Sequence, residues 1–478
     1  MPGLERNPLP GPGPGREMRV SRARSLRNPH RRDVWHRPFR LPLEESASVL
    51  ALMFFAVQGA VPGIAPAQAL AANVAAATPL MRVGGMAAQA LVYGAILLLL
   101  LKWHRRLLAV LPRMQFALLL TVWVLATVVW SMDRSLTMRR GAEFALAAGF
   151  GLYLAVRYSP QKQLRIFWWV LVLLALGSVV AAVAFPAVGL DRSAGHLHDW
   201  KGVFTQKNAC GRMMVLATAV VLAMRRRGLV VAASAVLFFG VLGLSGSRGA
   251  WVLEAVLLAV TVLFAVLRHA EHRTRAGALL AAGVAGVASL ALLYAGRTRL
   301  MEWMGRNATL SGRTEIWQAV WPFVMRKPWL GWGYAAFWRG WTGPSFDVSS
   351  AVHFLVFHAH NGYLDLWLQT GAIGLGLFLL AYGRAWLCVG QRLARQQSRR
   401  LPHVQMRDLL WPVSLLLVVG LYGLDENTVL IPNGIFWTVL VMAMVQLEPG
   451  GLRQRIPARL RGRAKARAAY APSALPAR

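Results

Sequence analysis

Apolar runs of roughly 17 to 25 residues, long enough to cross a lipid bilayer as helices, recur along most of the chain. They lie near 46–65, 84–101, 114–131, 141–157, 166–187, 210–224, 228–245, 249–267, 277–295, 362–383, 409–424 and 434–447. The pattern predicts an all-α, polytopic membrane protein of about twelve transmembrane helices. Two longer polar segments interrupt it, near 188–208 and 296–361. The second is far longer than a turn needs, as functional or disordered loops are. Its tryptophans (Trp303, Trp317, Trp321, Trp329, Trp332, Trp338 and Trp341) argue against disorder, because such rings sit at membrane interfaces. Within it, Gly312 to Phe323 predicts a short helix on the outer leaflet, and Pro328-Trp329-Leu330-Gly331-Trp332-Gly333 a sharp turn.

The ends of the chain are different in kind. Residues 1–45 are rich in Pro, Gly and Arg, and 448–478 are again basic, so both read as tails, the first disordered against anionic headgroups. Residues 46–295 then hold helices 1–9, 296–361 the loop, and 362–447 helices 10–12. Pro66-Ala67-Gln68-Ala69-Leu70-Ala71 has the look of a signal-peptidase site, but the basic region before it is too long for a signal peptide. The first run is therefore expected to be retained.

Lys and Arg outnumber Asp and Glu by 53 to 19, a net charge of +34. With a cytoplasmic N-terminus, 37 of the 53 fall in inside segments, as the positive-inside rule requires. Both tails are then cytoplasmic and the long loop is periplasmic. The excess charge serves topology and lipid contact, and no nucleic-acid partner is needed to explain it. Cys210 and Cys388 lie far apart with no CxxC pair, so neither a disulfide framework nor a thiolate metal site is expected.

Ionisable groups at a membrane face are costly to place and mark functional sites. His358-Ala359-His360-Asn361-Gly362-Tyr363-Leu364-Asp365 brings two imidazoles, an amide and a carboxylate to the outer mouth of a span. Its plain reading is a wet loop with Asn361 capping a helix. Lys201, Lys207, Arg212, Arg248 and Arg313 also fall on the outer side, against the charge rule. Each alone reads as an interfacial cation. Converging with His358 and His360, they would make an anion site beside a group that exchanges protons near neutral pH. No metal is expected, since His196-x-His198 and His358-x-His360 are not an i, i+4 pair and no Asp-x-Asp occurs.

Four blocks carry a family resemblance. They are Lys201-Gly202-Val203-Phe204-Thr205-Gln206-Lys207-Asn208; Ser245-Gly246-Ser247-Arg248-Gly249-Ala250; Gly312-Arg313-Thr314-Glu315-Ile316-Trp317 with Pro328 to Gly333; and His358 to Leu364 with Thr370-Gly371-Ala372-Ile373-Gly374-Leu375. In this order the chain resembles the O-antigen ligase / polysaccharide polymerase family of bacterial inner membranes, and looks nearest its exopolysaccharide-polymerising branch. Gln206 and Gln369 depart from it, standing where the branch often has a histidine and an acidic residue.

The resemblance implies a multi-pass, type C-like membrane glycosyltransferase with its active site on the periplasmic side. It would pass a glycan from undecaprenyl pyrophosphate to an acceptor sugar hydroxyl, inverting the anomeric centre, without metal or other cofactor. Its partners would be the lipid-linked glycan, the acceptor glycan, membrane lipids and other polysaccharide-assembly proteins. The family match gives His360 the role of base, Asn361 that of orienting the ring or sugar, and His358 that of second candidate. Arg248, Arg313 and Lys207 would hold the pyrophosphate. Ligation onto a lipid A-core or onto protein stays open beside polymerisation. A transporter of an anionic lipid or solute is the rival from another class, but it predicts an internal repeat with interrupted helices, which the sequence does not display.

Overall fold

The computed structural model describes residues 42–57, 79–192, 198–225, 228–267, 312–398, 404–429 and 431–448. Met1–Ser46 forms one unit, of which only the start of the first helix is described, and Ala47–Arg478 forms the other. Regular structure among the described residues is helical. The helices are α1 Leu43–Ala56, α2 Pro79–Leu108, α3 Gln115–Ala126, α4 Arg134–Arg157, α5 Pro160–Ala184, α6 Lys207–Ala223, α7 Leu229–Leu244, α8 Arg248–Leu267, α9 Arg313–Arg326, α10 Pro344–Ala351, α11 Gly362–Ser398, α12 Val404–Tyr422 and α13 Ile435–Leu447.

Apolar runs became helices wherever the chain is described. Among the described residues, five stretches are long and apolar enough to cross a membrane: Val83–Leu108, Leu111–Val129, Pro160–Ala184, Arg248–Val266 and Gly362–Leu393. Leu229–Leu244, Leu409–Tyr422 and Ile435–Leu447 are apolar but shorter. The expected run at 277–295, the Pro66 to Ala71 segment, the C-terminal tail beyond Glu448 and the first part of the long loop lie outside the described residues.

The centre of the bundle is α13, apolar on every side and buried at every residue. Against it lies α4, where Phe144 stacks on Trp437 at 4.7 Å and Thr438 Oγ1 donates to the Ala147 carbonyl at 3.2 Å. Small residues let membrane helices approach closely. Gly151 does so here, since a Cβ would come within 2.3 Å of the Thr438 carbonyl oxygen.

The expected continuous run from Gly362 is broken. Gly371 has φ 70° and ψ 179°, a conformation essentially reserved for glycine, and a Cβ there would lie 2.0 Å from the Trp329 carbonyl oxygen. A break in a membrane helix must have its freed backbone groups satisfied within the protein. The Pro328–Gly333 segment does this: Trp332 N and Gly333 N donate to the Leu368 and Gln369 carbonyls at 3.0 and 2.9 Å, and Ala372 N donates to Pro328 O at 2.8 Å. Two motifs that look unrelated in sequence are thus one joint.

That joint carries a second apolar core beside the bundle. α9 buries Ile316, Val320, Phe323 and Val324 in it, together with Phe337, Val348, Val352, Val356 and Leu368. Trp303 lies outside the described residues, and the other loop tryptophans split in two. Trp321, Trp329 and Trp341 are exposed, whereas Trp317, Trp332 and Trp338 are partly buried and each donates its indole N–H to a fixed acceptor.

Candidate active site

Four helices, α6, α8, α9 and α11, begin in one place, so their positive N-terminal ends share it. α6 and α8 meet at Gly211, where a Cβ would come within 2.7 Å of Ser247 and 2.8 Å of Ala250. Ser247 Oγ donates to Asn208 Oδ1 at 3.1 Å, and Asn208 Nδ2 donates to Glu426 Oε1 at 2.9 Å. At the start of α9, Arg313 gives Nη1 to Asp425 and Nη2 to Glu426 Oε1, the latter at 3.3 Å. The centre is therefore a buried carboxylate: Glu426 is 1% exposed.

The histidine loop closes over this carboxylate. His360 Nδ1 lies 3.2 Å from Glu426 Oε1, and His358 Nε2 lies 3.7 Å from Oε2. The two rings are 4.0 Å apart at their centroids. His360 has φ 48°, a left-handed backbone that costs a non-glycine residue about 1–2 kcal/mol. Surrounding bonds hold it there. Trp317 Nε1 donates to Ala359 O at 2.8 Å, and Gly362 N donates to Gly423 O at 2.7 Å. Asp365 accepts from Trp338 Nε1 at 2.7 Å and Asn427 Nδ2 at 2.8 Å, tying the loop to the turn after α12.

Ionisation follows from these contacts. Burial alone would raise the Glu426 carboxyl, but the charge and hydrogen bond of His360, with His358 and Arg212, hold it below the usual carboxylate range. His358 is pushed down to about 3 by burial, with His360, Arg212 and Arg313 adding to the effect against the pull of Glu426. It is neutral at ordinary pH. Its Nδ1 accepts from His360 N at 3.1 Å, so the ring proton sits on Nε2, toward Glu426. His360 meets Glu426 through Nδ1, so Nε2 is its ring nitrogen not engaged by that carboxylate.

The predicted residues are sorted by this geometry. His358, His360 and Arg313 converge on Glu426. Arg248 heads α8 between Ser247 and Gly249, where a Cβ on Gly249 would meet Asp425 at 2.2 Å. Arg248 is half-buried and has no hydrogen-bond or ion-pair partner among the described residues. Lys207 precedes Asn208, but its Nζ goes to Asp199 Oδ2 at 2.6 Å. Asn361 caps α11, its Oδ1 accepting from Tyr363 N and Leu364 N at 3.0 Å each. No bond joins it to the His360 ring among the described residues.

Arg212 requires a correction. It is 1% exposed, donates to Asn427 O at 2.9 Å and lies over the rings of Tyr422 and Phe436, so it supports the 425–428 turn and cannot reach a ligand. His198 is exposed, and His196 lies outside the described residues. Sequence reasoning missed Asp425 and Glu426. Their signal was an acidic pair directly beyond the 409–424 run, on the same expected side as the histidines.

Two comparisons with known proteins bear on the chain as a whole. Residues 213–379 match the family model described as O-antigen ligase, a span holding Arg248, Arg313, His358, His360 and Asn361. The chain is also similar to the exopolysaccharide production protein ExoQ of Rhizobium meliloti (strain 1021). That likeness is 26% identity over 329 residues, covering 63% of this chain and 71% of the relative. Lys207, Asp425 and Glu426 fall outside the family match. The apolar spans and both comparisons point the same way: over 213–379 this chain is similar to the O-antigen ligase family, and over a longer stretch to a protein of exopolysaccharide production.

Proposed function

We propose that this protein polymerises exopolysaccharide repeat units, taking glycan from undecaprenyl pyrophosphate to an acceptor sugar hydroxyl on the periplasmic face of the bacterial inner membrane. About twelve crossings with both tails cytoplasmic put the 296–361 loop and the 425–428 turn on that face. One observation carries the reading: His360 Nδ1 against the buried, ionised Glu426, with Arg313 bridging the same carboxylate to Asp425.

The acceptor oxygen attacks the anomeric carbon as the bond to pyrophosphate breaks, and its proton passes to His360 Nε2. Glu426 stabilises the imidazolium that forms. Attack opposite the leaving group inverts the centre. Undecaprenyl pyrophosphate departs with the bonding electrons, and fixed cations stabilise its developing charge where other enzymes use a metal ion. Arg248, without an ion pair among the described residues, meets it first. Arg313 and Lys207 rest on Asp425 and Asp199, so the phosphates must draw them from these partners. His358 keeps its proton toward Glu426 and serves by packing on His360. Asn361 acts through the helix cap that fixes the loop.

The family description names ligation, and one test separates the two outcomes. A strain lacking this protein should accumulate single lipid-linked repeat units. Accumulation of long lipid-linked chains instead would assign ligation onto a lipid or protein acceptor.

A further inference from the structure

We infer that His358, His360 and Glu426 form a binding site for a divalent transition-metal ion of the zinc type. One donor atom from each of the three lies within 4.8 Å of the others. Zinc bonds to imidazole nitrogen and carboxylate oxygen of about 2.0–2.2 Å place tetrahedral donors about 3.4 Å apart. The separations here, 3.2 Å from His360 Nδ1 to Glu426 Oε1 and 3.7 Å from His358 Nε2 to Oε2, bracket that value. Two histidines, one glutamate and an open fourth position are a donor set that zinc uses. The sequence showed only the i, i+2 histidines, because the third donor stands 66 residues beyond His360 in the chain.

The outer shell is also built. Asn208 and Arg313 both donate to Glu426 Oε1, which orients the carboxylate, with Oε1 toward His360 and Oε2 toward His358. Nearby positive charge opposes an incoming cation, but most of it is engaged. Arg313 is met by Asp425, and Arg212 lies against ring faces and the Asn427 carbonyl. Coordination through His358 Nε2 moves the ring proton to Nδ1 and gives up the bond from His360 N, one neutral hydrogen bond against three coordinate bonds. When Nδ1 of His360 takes the ion, its proton moves to Nε2. The lone pair that a base needs is then gone, so a bound ion silences His360.

Zinc chloride added to the purified, tag-free full chain in detergent, followed by desalting, provides the test. About one zinc per chain should remain, with an absorption-edge spectrum showing two imidazoles and oxygen ligands. His358→Ala should weaken binding by more than the roughly 10–100-fold that an outer-shell change costs. Zinc uptake unaltered by His358→Ala, or a bound ion without the imidazole pair, overturns the inference. The spectrum of the unaltered chain decides even where the variant fails to fold. Because the readout is zinc rather than turnover, failure of the transferase reading leaves this result intact, and failure here leaves that reading intact.

Discussion

Replacing His360 with alanine lowers transfer by roughly 10²–10⁴-fold, the usual contribution of a positioned acid–base group, while the protein stays in the membrane in normal amount. The loss is chemical rather than structural because Glu426 keeps Asn208 and Arg313 as donors, so no buried carboxylate is orphaned. The His360 side chain is 27% exposed, and its removal opens no sealed cavity. Alanine also relieves no essential bond of the loop, since Trp317 and Gly362 hold the neighbouring backbone. Polymer yield in cells, measured beside membrane abundance, checks the prediction. Near-normal polymer would remove His360 as the base.

Arg313→Lys should cost roughly 10²–10³-fold in rate, comparable to the loss of one fixed donor to a developing anion. Charge is retained, so the loss reports geometry alone. The guanidinium spans two carboxylates, one Nη group to Asp425 and the other to Glu426. A lysine ammonium is a point charge on a flexible stem and cannot hold both while offering a planar edge to a phosphate. Part of the effect also reaches His360, because Glu426 loses one of the donors that fix it. Turnover of the variant near the unaltered rate would mean that a plain positive charge suffices at this position.

Much of the bundle was legible from hydropathy, because a lipid-facing helix has to be apolar along its whole length. The convergence of Arg313, His358 and His360 was legible from their shared expected side and their motifs. What escaped is tertiary. Gly371 sits inside an unbroken apolar run, and nothing local announces that Pro328–Gly333 will supply the bonds its break requires. Arg212 looks like another outer cation, yet it lies one helical turn beyond Asn208, and that turn carries it beneath the Asn427 carbonyl. Glu426 is one of an acidic pair in sequence and becomes the centre of the site only when α12 returns beside α6 and the histidine loop. Asn361 had two readings; its side-chain carbonyl is spent on the helix cap.

Reconstitution is the most direct measurement. The purified full chain, in detergent or liposomes with a chelator present, is given undecaprenyl-pyrophosphate-linked repeat unit as sole substrate. The account predicts that lipid-linked glycans lengthen by whole repeats as free undecaprenyl pyrophosphate appears in equal amount. Release of undecaprenyl pyrophosphate without longer glycans, or lengthening only after a divalent metal is restored, would contradict it.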